Sequence, residues 1–219
     1  MVPPHNTTDE RPQPRLYLVT PAAADIASLK LDLLAALDSA DIAAVLLRLP
    51  DEDDRSLINR VKALAPTVQR ADAALILDGH PAVVARGGAD GAHLRSITEF
   101  EEAVDALKPD RIAGAGGLST RHDAMIAAER GADYVMFGEP NGAAERPSLQ
   151  AIVERVSWWA EVFEAPCVAY AGSFDEIAPV AQAGADFVAL GDFIFSDPRG
   201  VTAAVADAAS RLKAHEAVT

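Results

Sequence analysis

Eight short, mostly apolar runs alternate with longer stretches of helical period along this chain, and no other feature limits its fold so tightly. The runs occupy residues 16–19, 42–47, 74–77, 91–94, 111–114, 134–137, 167–170 and 187–190. A strand with one wet face alternates apolar and polar residues, whereas a continuous run suits a parallel strand covered on both faces. Between the runs, apolar residues fall three and four apart. Ile26, Leu29, Leu33 and Leu37 form one stripe, Ile58, Val61 and Leu64 another, and Phe100, Val104 and Leu107 a third. Further helices are expected near 120–130, 149–163, 174–183 and 201–212, and a short one at 81–86. The tripeptide Gly-Ala-Asp recurs at 88–90, 131–133 and 184–186, each time between a helical stretch and a strand run. Glycine can take the left-handed conformation that ends a helix, and Asp favours turns. A junction used three times indicates a repeated α/β unit, and eight such units close into a (β/α)8 TIM barrel. The sequence therefore predicts a single barrel domain over 15–219. A doubly wound open sheet is the alternative. It would use fewer strands and a glycine-rich nucleotide fingerprint after the first strand, where Thr20-Pro21 stands instead.

Residues 1–14, rich in Pro, Asp, Glu and Arg, read as a disordered polar tail. The formal net charge of −14 argues against a nucleic-acid partner, because phosphate backbones attract basic surfaces. No apolar run approaches the roughly 18 residues of a membrane span, so no membrane partner is expected. The opening residues lack the pattern of a secretory signal, and the single cysteine, Cys167, cannot form an internal disulfide. Together these predict a cytoplasmic protein. The expected partner is a small phosphorylated molecule, and a homo-oligomer stays open.

In a barrel of this kind the site forms from the loops after the strands, and a phosphate commonly sits after strands seven and eight. There the chain carries Gly172-Ser173 and Gly191-Asp192. Backbone amides of such turns can cradle an anion. The plainer reading makes Gly172 and Gly191 tight-turn residues and Ser173 an ordinary helix cap. Asp192 is an awkward neighbour for a phosphate. Arg48 ends the second strand, where it could grip a phosphate or carboxylate, or else pair with Asp78. Asp78-Gly79-His80 ends the third strand, with Asp78 a candidate base or metal ligand and His80 a candidate acid or base. His93, inside the fourth run, reads as a packed barrel-layer histidine. Ser119 and His122 follow the fifth strand, His122 in the first turn of a helix. Glu139 opens the loop 139–147, which includes Arg146 and is a candidate flap over the ligand. Cys167 begins its strand on the face away from the site, and one of Trp158 and Trp159 should pack on the barrel wall.

The stretches 16–20, 89–94, 131–138 and 183–190 resemble, in order and spacing, the thiamine phosphate synthase family, which also contains the thiazole tautomerase. The likeness runs from about 16 to 212. It implies a (β/α)8 barrel and, for a synthase, magnesium-dependent joining of a pyrimidine pyrophosphate to a thiazole phosphate through a dissociative step. The family's Gln-x-Arg-x-Lys pattern is reduced here to Arg48. Its Asn-Asp is replaced by Asp78-Gly79, and its second magnesium ligand by 95–98 with no acid before Glu99. Ser119 matches loosely, and Arg146 is the only base in the flap. The resemblance thus implies a retained thiazole-phosphate site at Gly172, Ser173, Gly191 and Asp192 beside an eroded magnesium–pyrophosphate half. No cofactor is expected, and magnesium only if Asp78 takes over as its ligand. A synthase-like protein is one implication. A metal-independent thiazole tautomerase, with His122 moving the proton, and a non-catalytic phosphate-binding paralogue are the others.

Overall fold

A computed structural model describes residues 13–22, 25–140 and 146–214. Eight parallel strands close in chain order: β1 (Arg15–Val19), β2 (Ile42–Leu47), β3 (Ala74–Asp78), β4 (Gly91–Leu94), β5 (Ile112–Ala115), β6 (Tyr134–Phe137), β7 (Cys167–Ala171) and β8 (Phe187–Leu190). β8 pairs with β1, with Leu18 opposite Leu190, so no strand edge is left open. Closure rules out the open-sheet alternative. The connecting helices are α1 (Ile26–Leu37), α2 (Asp54–Gln69), α3 (Pro81–Gly87), α4 (Ile97–Leu107), α5 (Arg121–Glu129), α6 (Leu149–Val162) and α7 (Ile177–Gln182). A four-residue helix, α8 (Asp192–Phe195), follows β8 and precedes α9 (Val201–Ala214). Of the polar stretch 1–14, residues 1–12 lie outside the described residues. Among the described residues, no helix is long and apolar enough to cross a membrane.

The continuous apolar runs are explained by two cores. Leu16, Leu18, Val45, Leu47, Leu75 and Leu77 point outward and pack beneath the helices. Tyr17, Val19, Leu46, Ile76, Met136 and Val168 point inward and fill the barrel. Successive strand residues face opposite sides, so burial on both sides removes the polar half of the usual alternation. Trp159 is buried against Phe137, with ring centroids 5.8 Å apart, and fixes α6 on the barrel wall. The expected helix at 174–183 is divided, with a 3-10 turn at Phe174–Glu176 ahead of α7. Pro179 supplies the reason. It has no N–H to donate and fits the first turn of α7, not the interior of one longer helix.

The repeated Gly-Ala-Asp does more than turn the chain. Gly88, Gly131 and Gly184 all take positive φ, at 80°, 90° and 96°. The aspartate that follows then grips the strand before its helix. Asp90 Oδ2 accepts from the Leu75 N–H at 2.8 Å, Asp133 Oδ2 from Ala113 at 2.7 Å and Asp186 Oδ2 from Cys167 at 2.8 Å. Each aspartate's own N–H donates to the carbonyl of that same strand residue. The motif is a two-point clamp on the amino ends of β3, β5 and β7. It leaves the carboxyl ends to build the site.

Candidate functional site

A cavity of about 440 Å³ opens at the carboxyl ends of the strands. Val19, Leu46 and Met136 give it an apolar base, and Gly117 and Pro140 close one side. Its polar wall is Arg48, Asp78, His93, Arg95, Glu139 and Tyr170. β2 and β3 present Arg48 and Asp78 next to each other, with Arg48 Nε 3.9 Å from Asp78 Oδ2. On its other side, Arg48 lies 3.6 Å from Asp192 Oδ1. Both separations exceed a good hydrogen bond, so these contacts leave guanidinium donors available. Arg48 also reaches the Tyr170 hydroxyl. Arg95 stands over Gly79, whose added Cβ would lie 3.2 Å from the guanidinium. Burial pushes the Asp78 carboxyl up, while Arg95 and Arg48 oppose that shift.

The deepest polar groups form a ladder through the barrel. The Tyr17 and Tyr134 hydroxyls are 2.9 Å apart, and the Tyr134 hydroxyl is 3.0 Å from His93 Nδ1. Burial holds the His93 ring neutral, with its pKa lowered to about 3, and the nearby Arg95 and Arg48 add to the effect. Glu139 lies beside it. Burial pushes its carboxyl up to about 7, against the pull of the Gly117 amide, which donates to Glu139 Oε1.

The structure rearranges several expected roles. Glu139, at the start of the expected flap, lines the cavity wall together with Pro140. Arg146 is a bolt: its Nε donates to the Gly138 carbonyl at 2.7 Å, and one terminal nitrogen donates at 2.7 Å to both the Tyr170 carbonyl and Glu176 Oε2. With its charge matched by Glu176, it is not available to neutralise a pyrophosphate. The rest of the flap, 141–145, lies outside the described residues. Gly172 does not present an unengaged amide, since its N–H donates to Glu176 Oε2 at 2.7 Å. Burial pushes Glu176 up, but Arg146 and that amide outweigh it and keep the carboxyl below its usual range. Ser173 precedes the 3-10 turn but makes no side-chain cap. Asp192 begins α8 without capping it and faces Arg48. Gly191 is required by close approach, because a Cβ there would lie 1.8 Å from the Tyr170 hydroxyl.

Ser119 and His122 are exposed and do not line the cavity. A capping box between Thr120 and Asp123 opens α5 there, which leaves His122 on the helix surface. His80 takes a left-handed backbone, φ 53°, as the residue before Pro81. The cavity residues given too little weight by sequence reasoning are Arg95, His93 and Tyr170. All three stand at or just past the carboxyl end of a strand, and that position was the available signal.

Among the described residues that line the cavity, Asp78 is the carboxylate on the β2–β4 side, with Arg48 and Arg95 acting on it. Glu99 accepts from the Arg95 backbone N–H at 2.8 Å and acts on Asp78 to raise its proton affinity. No group of three or more His, Cys, Asp or Glu that could hold a metal occurs among the described residues. Magnesium is commonly held by one or two carboxylates together with substrate phosphates; here Asp78 offers one carboxylate, with the Arg48 guanidinium 3.9 Å from it.

A family model described as Thiamine monophosphate synthase matches residues 16–194. The Thiamine-phosphate synthase of Rhodospirillum centenum is 45% identical over 197 residues, covering 88% of this chain and 95% of that protein. That of Hyphomonas neptunium is 34% identical over 209 residues, covering 91% and 94%. The solved structure of the thiamine phosphate pyrophosphorylase from Pyrococcus furiosus superposes with a TM-score of 0.76 at 22% identity, covering 93% of this chain and 97% of that one. At that identity the superposition speaks for the fold alone.

Proposed function

Since this chain belongs to the thiamine monophosphate synthase family, we propose that it is a thiamine phosphate synthase-like protein that binds a thiazole phosphate or similar small phosphate ester without magnesium. One observation carries the reading: Arg48 and Arg95 flank Asp78 in the cavity, where a metal would meet positive charge and a phosphate would be welcome. Guanidiniums bind phosphate through paired N–H donors and stay charged at any working pH. The turns at Gly172-Ser173 and Gly191-Asp192 adjoin this cavity through Arg48 and Tyr170. A phosphate placed against them would draw Arg48 from Asp192 and the Gly172 amide from Glu176. Arg48, not the amides, is then the principal contact.

Calorimetry with the thiazole phosphate in EDTA tests this. Wild type should bind, and Arg48→Met and Arg95→Met should each weaken binding by about 10-fold or more, the loss of one charge-assisted hydrogen bond. Gly172→Asp should weaken it too, since its Cβ would meet the Arg146 guanidinium at 2.9 Å and its carboxylate would repel the anion. Magnesium held stoichiometrically by Asp78 and Glu99, with magnesium-dependent formation of thiamine phosphate, would overturn the reading. A second reading, metal-independent tautomerisation of a thiazole carboxylate phosphate, is favoured by the Glu139 carboxyl in the cavity wall. It calls for a proton carrier but no pyrophosphate site.

A further inference from the structure

The site at the strand ends does not account for a groove of about 590 Å³ on the flank of the barrel, between α1 and α2. Leu34, Leu37 and Pro66 give it apolar walls. Among the described residues three large apolar side chains are exposed, and two of them, Leu31 at 68% and Leu34 at 42%, stand together on α1. Their exposure does nothing for a single chain, because Leu29, Leu33 and Ala36 already supply the stripe that α1 buries against the barrel. One exposed leucine is ordinary, whereas two beside an apolar groove mark a contact surface.

Charge divides this face lengthwise. α1 and α2 run in the same direction, since each connects neighbouring parallel strands. Lys30 and Lys62 lie within the bodies of the two helices and line the groove. Asp38 ends α1, and the exposed Asp72 follows the end of α2, with Arg70 before it. The face therefore has a basic end and an end where two acids outnumber one base. Residues four apart on a helix occupy one side of it, a turn apart. Lys30, Leu34 and Asp38 form such a stripe, and Asp38 keeps helical backbone, with φ −75° and ψ −15°. Cation, leucine and anion in that order are self-complementary. Turned end for end about Leu34, the stripe brings Lys30 level with a second Asp38 and Leu34 against a second Leu34. Neither Lys30 nor Asp38 is engaged in an ion pair among the described residues.

We propose that this face of α1 and α2 docks a second copy of the chain, with the two α1 helices antiparallel and a two-fold axis passing beside Leu34. An isologous contact uses the same patch on both copies and closes at two, so one such face makes a dimer. The leucines of both copies form a shared apolar centre. Each Lys30 meets the other copy's Asp38, which gives two ion pairs by symmetry. The contact lies on the flank of the barrel and leaves the cavity at the carboxyl ends of the strands open in both copies.

Sedimentation velocity of the chain over a range of concentrations tests the pairing. Wild type should dimerise. Lys30→Asp sets acid against acid at both contacts, and Asp38→Lys sets base against base, so each alone should weaken dimerisation by about 10-fold or more. The double variant should return the affinity to near that of wild type. Mixing the two single variants is the sharper test. One chain then carries acids at both positions and the other bases, so a heterodimer should form where neither homodimer does. Leu34→Asp should abolish pairing and leave the circular dichroism of the dilute chain unchanged, because its side chain is exposed. A wild type that stays monomeric throughout would overturn the proposal, and binding of that monomer to vesicles of anionic lipid would give the groove another occupant. A dimer that none of these variants weakens would overturn it too, by placing the contact elsewhere. So would a mixture of the single variants that stays monomeric, since the antiparallel register requires their pairing.

Discussion

At the scale of single residues, the cavity is governed by what burial does to charge. Glu139 is raised from an ordinary 4.5 to about 7 on folding. Between those values the folded chain keeps a proton that the unfolded chain has released. Its contribution to stability is therefore present below pH 4.5 and lost as the pH rises through 7. His93 has the opposite sign. Its pKa falls from 6.5 to about 3, so its contribution is present above 6.5 and lost as the pH falls toward 3. Glu139→Gln should thus raise the melting temperature at pH 8 by roughly 2–4 °C, about 1 kcal/mol in a domain of this size, and change it little at pH 4. Equal shifts at both pH values in scanning calorimetry would contradict this account. Gly191→Ala tests close packing: Tyr170 must move, at a cost of about 1–3 kcal/mol, and Tyr170→Phe should relieve part of it.

Elements are aligned by the Gly-Ala-Asp clamps. Those three aspartates tie the ends of α3, α5 and α7 to the strands that precede them, and a helix without that tie could slide along the barrel. Asp186→Ala strips the Cys167 N–H of its side-chain acceptor and should cost about 1–3 kcal/mol in denaturant unfolding. Asp175→Ala, whose side chain is 93% exposed in its pair with Arg211, should change stability little. A similar cost for the two would mean that the clamp is only a turn. The clamps hold the amino ends of their strands, so their loss should weaken the fold while leaving the affinity of the folded protein for phosphate near that of wild type.

For the whole molecule, the formal net charge of −14 and the proposed binding of an anion are compatible because charge acts locally. Distant acids are screened within about 8–10 Å, while guanidiniums act at contact. A thiazole phosphate at about 100 times its Kd should stabilise the folded state by about 2.7 kcal/mol, a rise of roughly 5–10 °C. EDTA should not alter that rise, and Arg48→Met at the same ligand concentration should remove about half of it or more. A shift that appears only with added magnesium would restore the metal to the site.

Strand count, parallel closure and a cavity at the carboxyl ends were all legible in sequence, because each follows from periodicity and local turn chemistry. Four of the eight strand runs, 42–47, 91–94, 134–137 and 187–190, coincide with β2, β4, β6 and β8. Family membership was legible for the same reason, in the order and spacing of those segments. The division of labour among site residues was not. Arg146 reads as a flap base until the fold brings Glu176, 30 positions away, against it. Glu139 reads as a loop residue until Gly116 and His93 close around it. Pairing of charges and loss of water depend on neighbours distant in the chain, and only the closed barrel brings those neighbours together.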